Sequence, residues 1–216
     1  MLIPKFGFGQ VVPNSVLHVK STVDFELTGD SSAAWNKTFW VRLPHRGGVK
    51  KYQTKIKVLY SPTGIYCLFY CEDEKITSTL REDFTDLYLE DVVEAFFWTD
   101  EAKPLYFEYE LSPHNFELPI LVPNDSGNFF GWLPWHYEGV RKTRHATKMN
   151  AKSWSAEFFI PYALLKPLAQ VPPVKGTKWR CNFYRLDYDE GSSKWSWQLT
   201  GPSFHDIERF GTLIFE

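Results

Sequence analysis

With 216 residues, 44 % hydrophobic and 23 % charged, the chain has the composition of a folded protein with a true core, which excludes a disordered chain. A formal net charge of -2 excludes a partner held by bulk electrostatics, because nucleic-acid binding needs a basic surface that displaces counterions from phosphates. Aromatic residues make up 18 % of the chain, with nine Trp, more than a core of this size needs; such rings also stack on the C–H faces of sugars.

In chain order, the opening MLIPKFGFGQ has no apolar stretch of leader length and does not read as a signal peptide. No run approaches the ~18 apolar residues of a membrane span. Residues 38–43 predict a first strand. Residues 54–60 (TKIKVLY) alternate apolar and basic side chains, SPTG turns at 61–64, and 65–71 (IYCLFYC) return as a nearly continuous apolar run, a hairpin whose second strand is central. A turn or two of helix is expected over 76–84, then strands over 92–98 and 105–111. Residues 123–150 form the longest weakly periodic stretch and read as a functional loop; their basic end, 141–152 (RKTRHATKMNAK), reads as a solvated loop or hairpin. A strand over 153–160 precedes a short helix, 161–168 (PYALLKPL), that opens with Pro and stops near Pro167. Strands over 179–188, 194–199 and 210–215 complete the chain. Many short strands, frequent turn signals and little helix predict one all-β domain over 1–216, an antiparallel, jelly-roll-like sandwich with one or two short helices.

Three cysteines, Cys67, Cys71 and Cys181, include no metal-like spacing. Cys67 and Cys71 sit four apart on one strand, about 13 Å between Cα atoms, too far to bridge. Free thiols favour a reducing compartment, and export would require a leader since removed, so localisation stays open. The six histidines show no paired zinc spacing, and no GxSxG elbow occurs.

LYLEDVVEAFFW, residues 87–98, carries the acids that matter most. On a strand, Glu94 shares its face with Val92, Phe96 and Trp98, where an unpaired charge costs several kcal/mol, so it needs a partner or a ligand. The candidates are an ion pair with Arg42, Arg180 or Arg185, or a bound molecule. Glu108 and Glu110 share one face of the following strand; if the two strands are neighbours, Glu94, Glu108 and Glu110 gather in one concavity. Two carboxyls about 5 to 9 Å apart are what a glycosidase requires, so a hydrolase is one reading. Asp73, Glu74, Asp83, Asp86, Glu90 and Asp91 are dense enough to leave room for a structural calcium, although none follows an EF-hand loop.

Six stretches taken together, TKIKVLYSPTGIYCLFYCED (54–73), LYLEDVVEAFFW (87–98), LYFEYELSPHN (105–115), SWSAEFFIPYALL (153–165), GTKWRCNFYRLD (176–187) and SFHDIERFGTLIF (203–215), resemble the family 9 carbohydrate-binding modules and the wider DOMON-like β-sandwiches. The resemblance implies a sandwich that holds a sugar between two aromatic rings, Tyr88 and Phe204 by position, with Glu94 accepting hydrogen bonds from its hydroxyls. Glu108 stands where the family pattern has an Arg, and a carboxylate cannot supply bidentate guanidinium donation. Trp132 and Trp135 add an aromatic lip or fold inward over the sandwich. Glu157 is implied to be scaffold, tied to Arg180 or Arg185. His145 and Met149, four apart in the basic segment, cannot approach a heme from opposite faces. The expectation is non-catalytic binding of an oligosaccharide or polysaccharide in the service of polysaccharide breakdown, with a glycoside hydrolase as partner. The alternatives are a hydrolase using paired Glu, or an interaction domain that has lost its sugar site.

Overall fold

The computed structural model describes residues 15–166, 168 and 172–216. Among these residues fifteen strands are connected: eleven in the order β10-β8-β7-β6-β13-β15-β1-β4-β5-β12-β11, and four short strands off this path. They are β1 (Val16–Ser21), β2 (Val41–Leu43), β3 (His45–Gly47), β4 (Thr54–Tyr60), β5 (Gly64–Glu72), β6 (Val92–Trp98), β7 (Leu105–Leu111), β8 (Glu117–Asp125), β9 (Asn128–Phe129), β10 (Leu133–Pro134), β11 (Arg144–Asn150), β12 (Ser153–Pro161), β13 (Lys178–Asp187), β14 (Ser193–Ser196) and β15 (Gly211–Phe215). One leaf of the sandwich is built on β8, β7, β6, β13 and β15, the other on β4, β5, β12 and β11. β1 joins them: Val16 to Val19 run parallel to β15, and Lys20 and Ser21 run parallel to β4. The other pairings are antiparallel.

Alternation places Val93, Ala95 and Phe97 of β6 in the interior, with Phe69, Phe158, Tyr109 and Phe183. Rings meet across the two leaves, Tyr109 against Phe158 at 4.7 Å and Phe69 against Phe183 at 6.2 Å, and four tryptophans, Trp154, Trp179, Trp195 and Trp197, are fully buried. Aromatic richness is thus partly spent on the core. The outer face of the first leaf is also apolar: Val92, Phe96, Tyr106, Ile120, Tyr184 and Leu186 form a second cluster under Leu87, Ile207 and Phe210. This leaf is covered on both faces, which is why its strands read as nearly continuous apolar runs.

Some expectations shift. The first predicted strand shrinks to β2, and β1 was not foreseen. β8 (ELPILVPND) carries two prolines, which argue against a strand, yet both lie beside the short β9 and β10 pairings, where few ladder bonds are needed. The basic segment does form a hairpin: it is the edge strand β11, paired antiparallel with β12 through a turn at 151–152, and its exposed Lys148 and Met149 fit edges that resist pairing with other chains. Residues 76–84 form no helix: the carboxylates of Asp91 and Glu90 accept backbone N–H groups of Thr77 and Leu80 and hold the chain extended. The helix after β12 is α1 (Tyr162–Leu165); Pro167, its predicted stop, lies outside the described residues. Glu157 pairs with neither Arg180 nor Arg185. It accepts the backbone N–H groups of Thr28 and Gly29 at 2.6 and 2.7 Å and the Trp35 indole N–H at 2.6 Å, because its side of β12 faces the 25–35 segment. The three cysteines are free and buried. No described helix is long and apolar enough to cross a membrane.

Candidate functional site

On the outer face of the first leaf lies a cleft of about 380 Å³, within the size range of ligand pockets. Its floor follows from strand register. Glu94 of β6 stands opposite Glu110 of β7 and Tyr184 of β13, and Phe96 stands opposite Glu108, so alternation puts all three carboxyls on one surface. They are 2 %, 4 % and 1 % exposed for Glu94, Glu108 and Glu110. Burial pushes the Glu94 carboxyl up to about 8, with Lys194 opposing the shift. Burial and then the neighbouring acids push Glu108 and Glu110 well above the ordinary carboxylate range. Three acids this close cannot all ionise, so near neutral pH the floor holds protons and offers both donors and acceptors.

The arginine partners expected for Glu94 are elsewhere. Arg185 stands opposite Val93 and therefore points inward, to Asp73 at 3.1 Å and Asp187 at 2.6 Å. Arg180 lies four residues along β13 from Tyr184 and binds the Phe210 carbonyl at 2.6 Å. Arg42 belongs to the other leaf, opposite Lys55. Lys194 of β14 is the cation that lines the cleft.

The walls are aromatic. Tyr88 projects from a single 3-10 turn, Leu87–Leu89, whose carbonyl at Tyr88 accepts the Tyr188 hydroxyl at 2.8 Å. Phe204 lies flat on the buried Tyr184 ring, centroids 4.2 Å apart at 12°, and its carbonyl accepts the Tyr184 hydroxyl at 2.8 Å. Trp132 lines the same cleft. Tyr88, Glu94, Glu108, Trp132 and Phe204 are thus brought together, and Trp135 is not. Trp132 and Trp135 are an odd number of residues apart across the extended pair β10, so they face opposite ways; Trp135 donates its indole N–H to the Leu164 carbonyl at 3.3 Å, with Arg141 over its ring.

Residues that sequence reasoning missed complete the site. His205 is stacked between Phe129, centroids 4.1 Å apart, and Phe96, 5.6 Å, and shares a hydrogen bond with the Tyr106 hydroxyl through Nδ1. Burial pushes its pKa down to about 4, so it is neutral and brings no positive charge to the acids. Tyr188, Phe129 and Lys194 also line the cleft. The one available signal for His205 was its place directly after Phe204. Of the acids considered for calcium, four are engaged with the chain: Asp73 with Arg185, Asp83 with the Glu117 N–H, Glu90 with the Leu80 N–H, and Asp91 with the N–H groups of Thr77 and Tyr188. Among the described residues no group of three or more His, Cys, Asp or Glu is gathered for a metal.

No protein-family model matches the chain. One relative, named as an extracellular protein of Arthroderma benhamiae, is 29 % identical over 180 residues, 76 % of this chain and 78 % of that protein. Among solved structures, a family 9 carbohydrate-binding module from Caldicellulosiruptor kristjanssonii in complex with glucose superposes with a TM-score of 0.70 at 14 % identity, covering 93 % of this chain and 95 % of that one. The same organism's family 9 module in complex with cellotriose gives 0.71 at 14 % identity, covering 93 % of both chains. A Bacteroides uniformis protein gives 0.77 at 17 % identity, covering 93 % of this chain and 99 % of that one. The fold is that of the family 9 carbohydrate-binding modules.

Proposed function

We propose that the protein binds carbohydrate without cleaving it, a pyranose lying against Tyr88, Phe204 and Trp132 while Glu94 and Glu108 exchange hydrogen bonds with its hydroxyls. The observation that carries this reading is an open cleft with aromatic walls and an acidic floor, on a fold whose solved relatives include modules with glucose and cellotriose bound. Rings supply flat apolar contact to sugar C–H faces, and buried acids supply orientation. The named extracellular relative supports a role outside the cell; the ligand we propose there is a polysaccharide, beside a glycoside hydrolase that carries the catalytic work. Stacking with a few hydrogen bonds gives a dissociation constant of roughly 10 µM to 1 mM. Calorimetric titration with a panel of oligosaccharides tests the reading, and silence across the panel at millimolar concentration overturns it.

The competing reading is hydrolysis by the paired glutamates. A retaining or inverting glycosidase needs one ionised carboxylate beside one protonated acid, and register brings Glu94 and Glu110 opposite each other, which is the observation behind this reading. Turnover of chromogenic glycosides that disappears in Glu94→Gln decides for the enzyme.

A further inference from the structure

We propose that the cleft takes a positively charged sugar, an oligosaccharide of 2-amino-2-deoxyglucose units with free ammonium groups, in preference to a neutral glycan. This rests on the carbohydrate-binding reading and names the ligand class of that site.

Carboxyls outnumber cations in the cleft, and they stay uncharged there only by holding protons. Glu94 contributes from β6, and Glu108 and Glu110 from β7; the Oε2 atoms of Glu108 and Glu110 are buried with no hydrogen-bond partner. Against them stands Lys194 from β14, exposed at the rim with its Nζ 5.5 Å from the Phe204 centroid. His205, from the loop before β15, is 3.8 Å from Glu108 Oε2 through Nδ1, but that nitrogen is engaged with Tyr106 and the ring is neutral. Tyr88, Tyr106, Tyr184 and Tyr188 bring neutral hydroxyls. Three acids therefore meet one cation, and two buried acceptor atoms wait for donors, each costing free energy while unpaired.

A neutral sugar satisfies the acceptors and leaves the acids protonated. A ring ammonium goes further: it donates up to three hydrogen bonds to carboxylates and supplies the positive charge that lets them ionise, at a buried floor where attraction is weakly screened. The flat walls then select a pyranose over a simple amine, stacking on its C–H face and attracting the cation through their ring quadrupoles. Since the acids hold protons in the empty cleft, binding an ammonium drives them to ionise, and protons leave on association.

The test is calorimetry of the intact protein at about pH 6.5 with three four-unit oligosaccharides: the fully deacetylated glucosamine oligomer, its N-acetylated counterpart, and cellotetraose. Two buffers of different ionisation enthalpy read out proton release. The charged oligomer is expected to bind at least about tenfold more tightly than both neutral ones, to weaken with added salt, and to release protons. Glu108→Gln and Glu110→Gln keep the shape of a protonated acid and so keep the fold; each is expected to bring the charged oligomer to within about threefold of cellotetraose. If cellotetraose binds as tightly as the charged oligomer, or if the preference survives both variants, the charged-sugar inference is overturned while carbohydrate binding stands. If none of the three binds, both fall.

Discussion

Glu94 sits among Val92, Phe96 and Trp98 with a carboxyl whose folded pKa, about 8, lies above the ordinary glutamate value. Its contribution is fully present below the unfolded value and is lost as pH rises through about 8, because the folded state binds the proton more tightly than the unfolded chain. Asp91, raised to about 7 by burial, acts in the same direction, so thermal stability of the free protein is expected to fall between about pH 4.5 and 8. Glu94→Gln removes one ionisation without changing shape, and its melting temperature is expected to exceed the wild type's by a margin that grows up to about pH 8, worth on the order of a few kcal/mol. Parallel melting curves for the two proteins across that range would refute the burial account. The aromatic positions separate as sharply. Tyr88→Ala and Phe204→Ala each remove a wall and are expected to weaken sugar binding about tenfold, on the order of 1 to 2 kcal/mol. Trp135→Ala, facing away from the cleft, is expected to leave binding within about twofold in the same titration. Alternation made Glu94, Glu108 and Glu110 legible as one surface; it said nothing of Lys194 or His205, which reach the cleft from loops and a short strand whose placement depends on tertiary packing.

Strand identity was legible wherever alternation or a long apolar run stood clear, as in β4, β5, β6 and β7. It failed where local chemistry pointed the other way: two prolines hid β8, while the polar, basic β11 was legible only as one arm of a loop or hairpin, because an edge strand needs only one paired side. Glu157 teaches the same lesson about partners. Opposite charge suggested an arginine, but the carboxylate of this β12 residue holds backbone donors 128 and 129 residues away, and no pattern of side chains announces a backbone N–H. One acceptor anchors an entire segment, with Gly29 at a positive φ of 90° turning its N–H toward the carboxylate. Glu157→Ala leaves the backbone donors of Thr28 and Gly29 and the Trp35 indole N–H without their buried acceptor, and is expected to cost roughly 3 to 5 kcal/mol. Chemical denaturation measures this; a loss below about 1 kcal/mol means the segment 28–35 is held by its other contacts.

At the scale of the molecule, the two leaves meet through apolar rings and, at the end of β5, through charge. Arg185 extends from β13 of the first leaf into the interior and binds the Glu72 carbonyl at 2.6 Å and Asp73 at 3.1 Å, both from the end of β5 in the other leaf, as well as Asp187 at 2.6 Å on its own strand. Its guanidinium also lies 4.8 Å from the Trp195 centroid, and the side chains of Arg185, Asp73 and Asp187 are wholly buried. A buried ion group of this kind gives little net stability over an apolar replacement of the whole set, yet losing one member strands the others. Arg185→Leu leaves Asp73 and Asp187 buried without their cation. Burial already raises both carboxyls while Arg185 opposes the shift, so removal of the guanidinium drives both further up and makes them take protons on folding. The variant is therefore expected to lose roughly 3 to 5 kcal/mol at neutral pH and to recover part of that loss as pH falls toward about 5, where the stranded acids are protonated at less cost. Denaturant titrations of wild type and variant at the two pH values provide the comparison. A loss that stays constant with pH assigns the role of Arg185 to packing against Trp195, and a loss that shrinks on acidification assigns it to the charge that links the leaves.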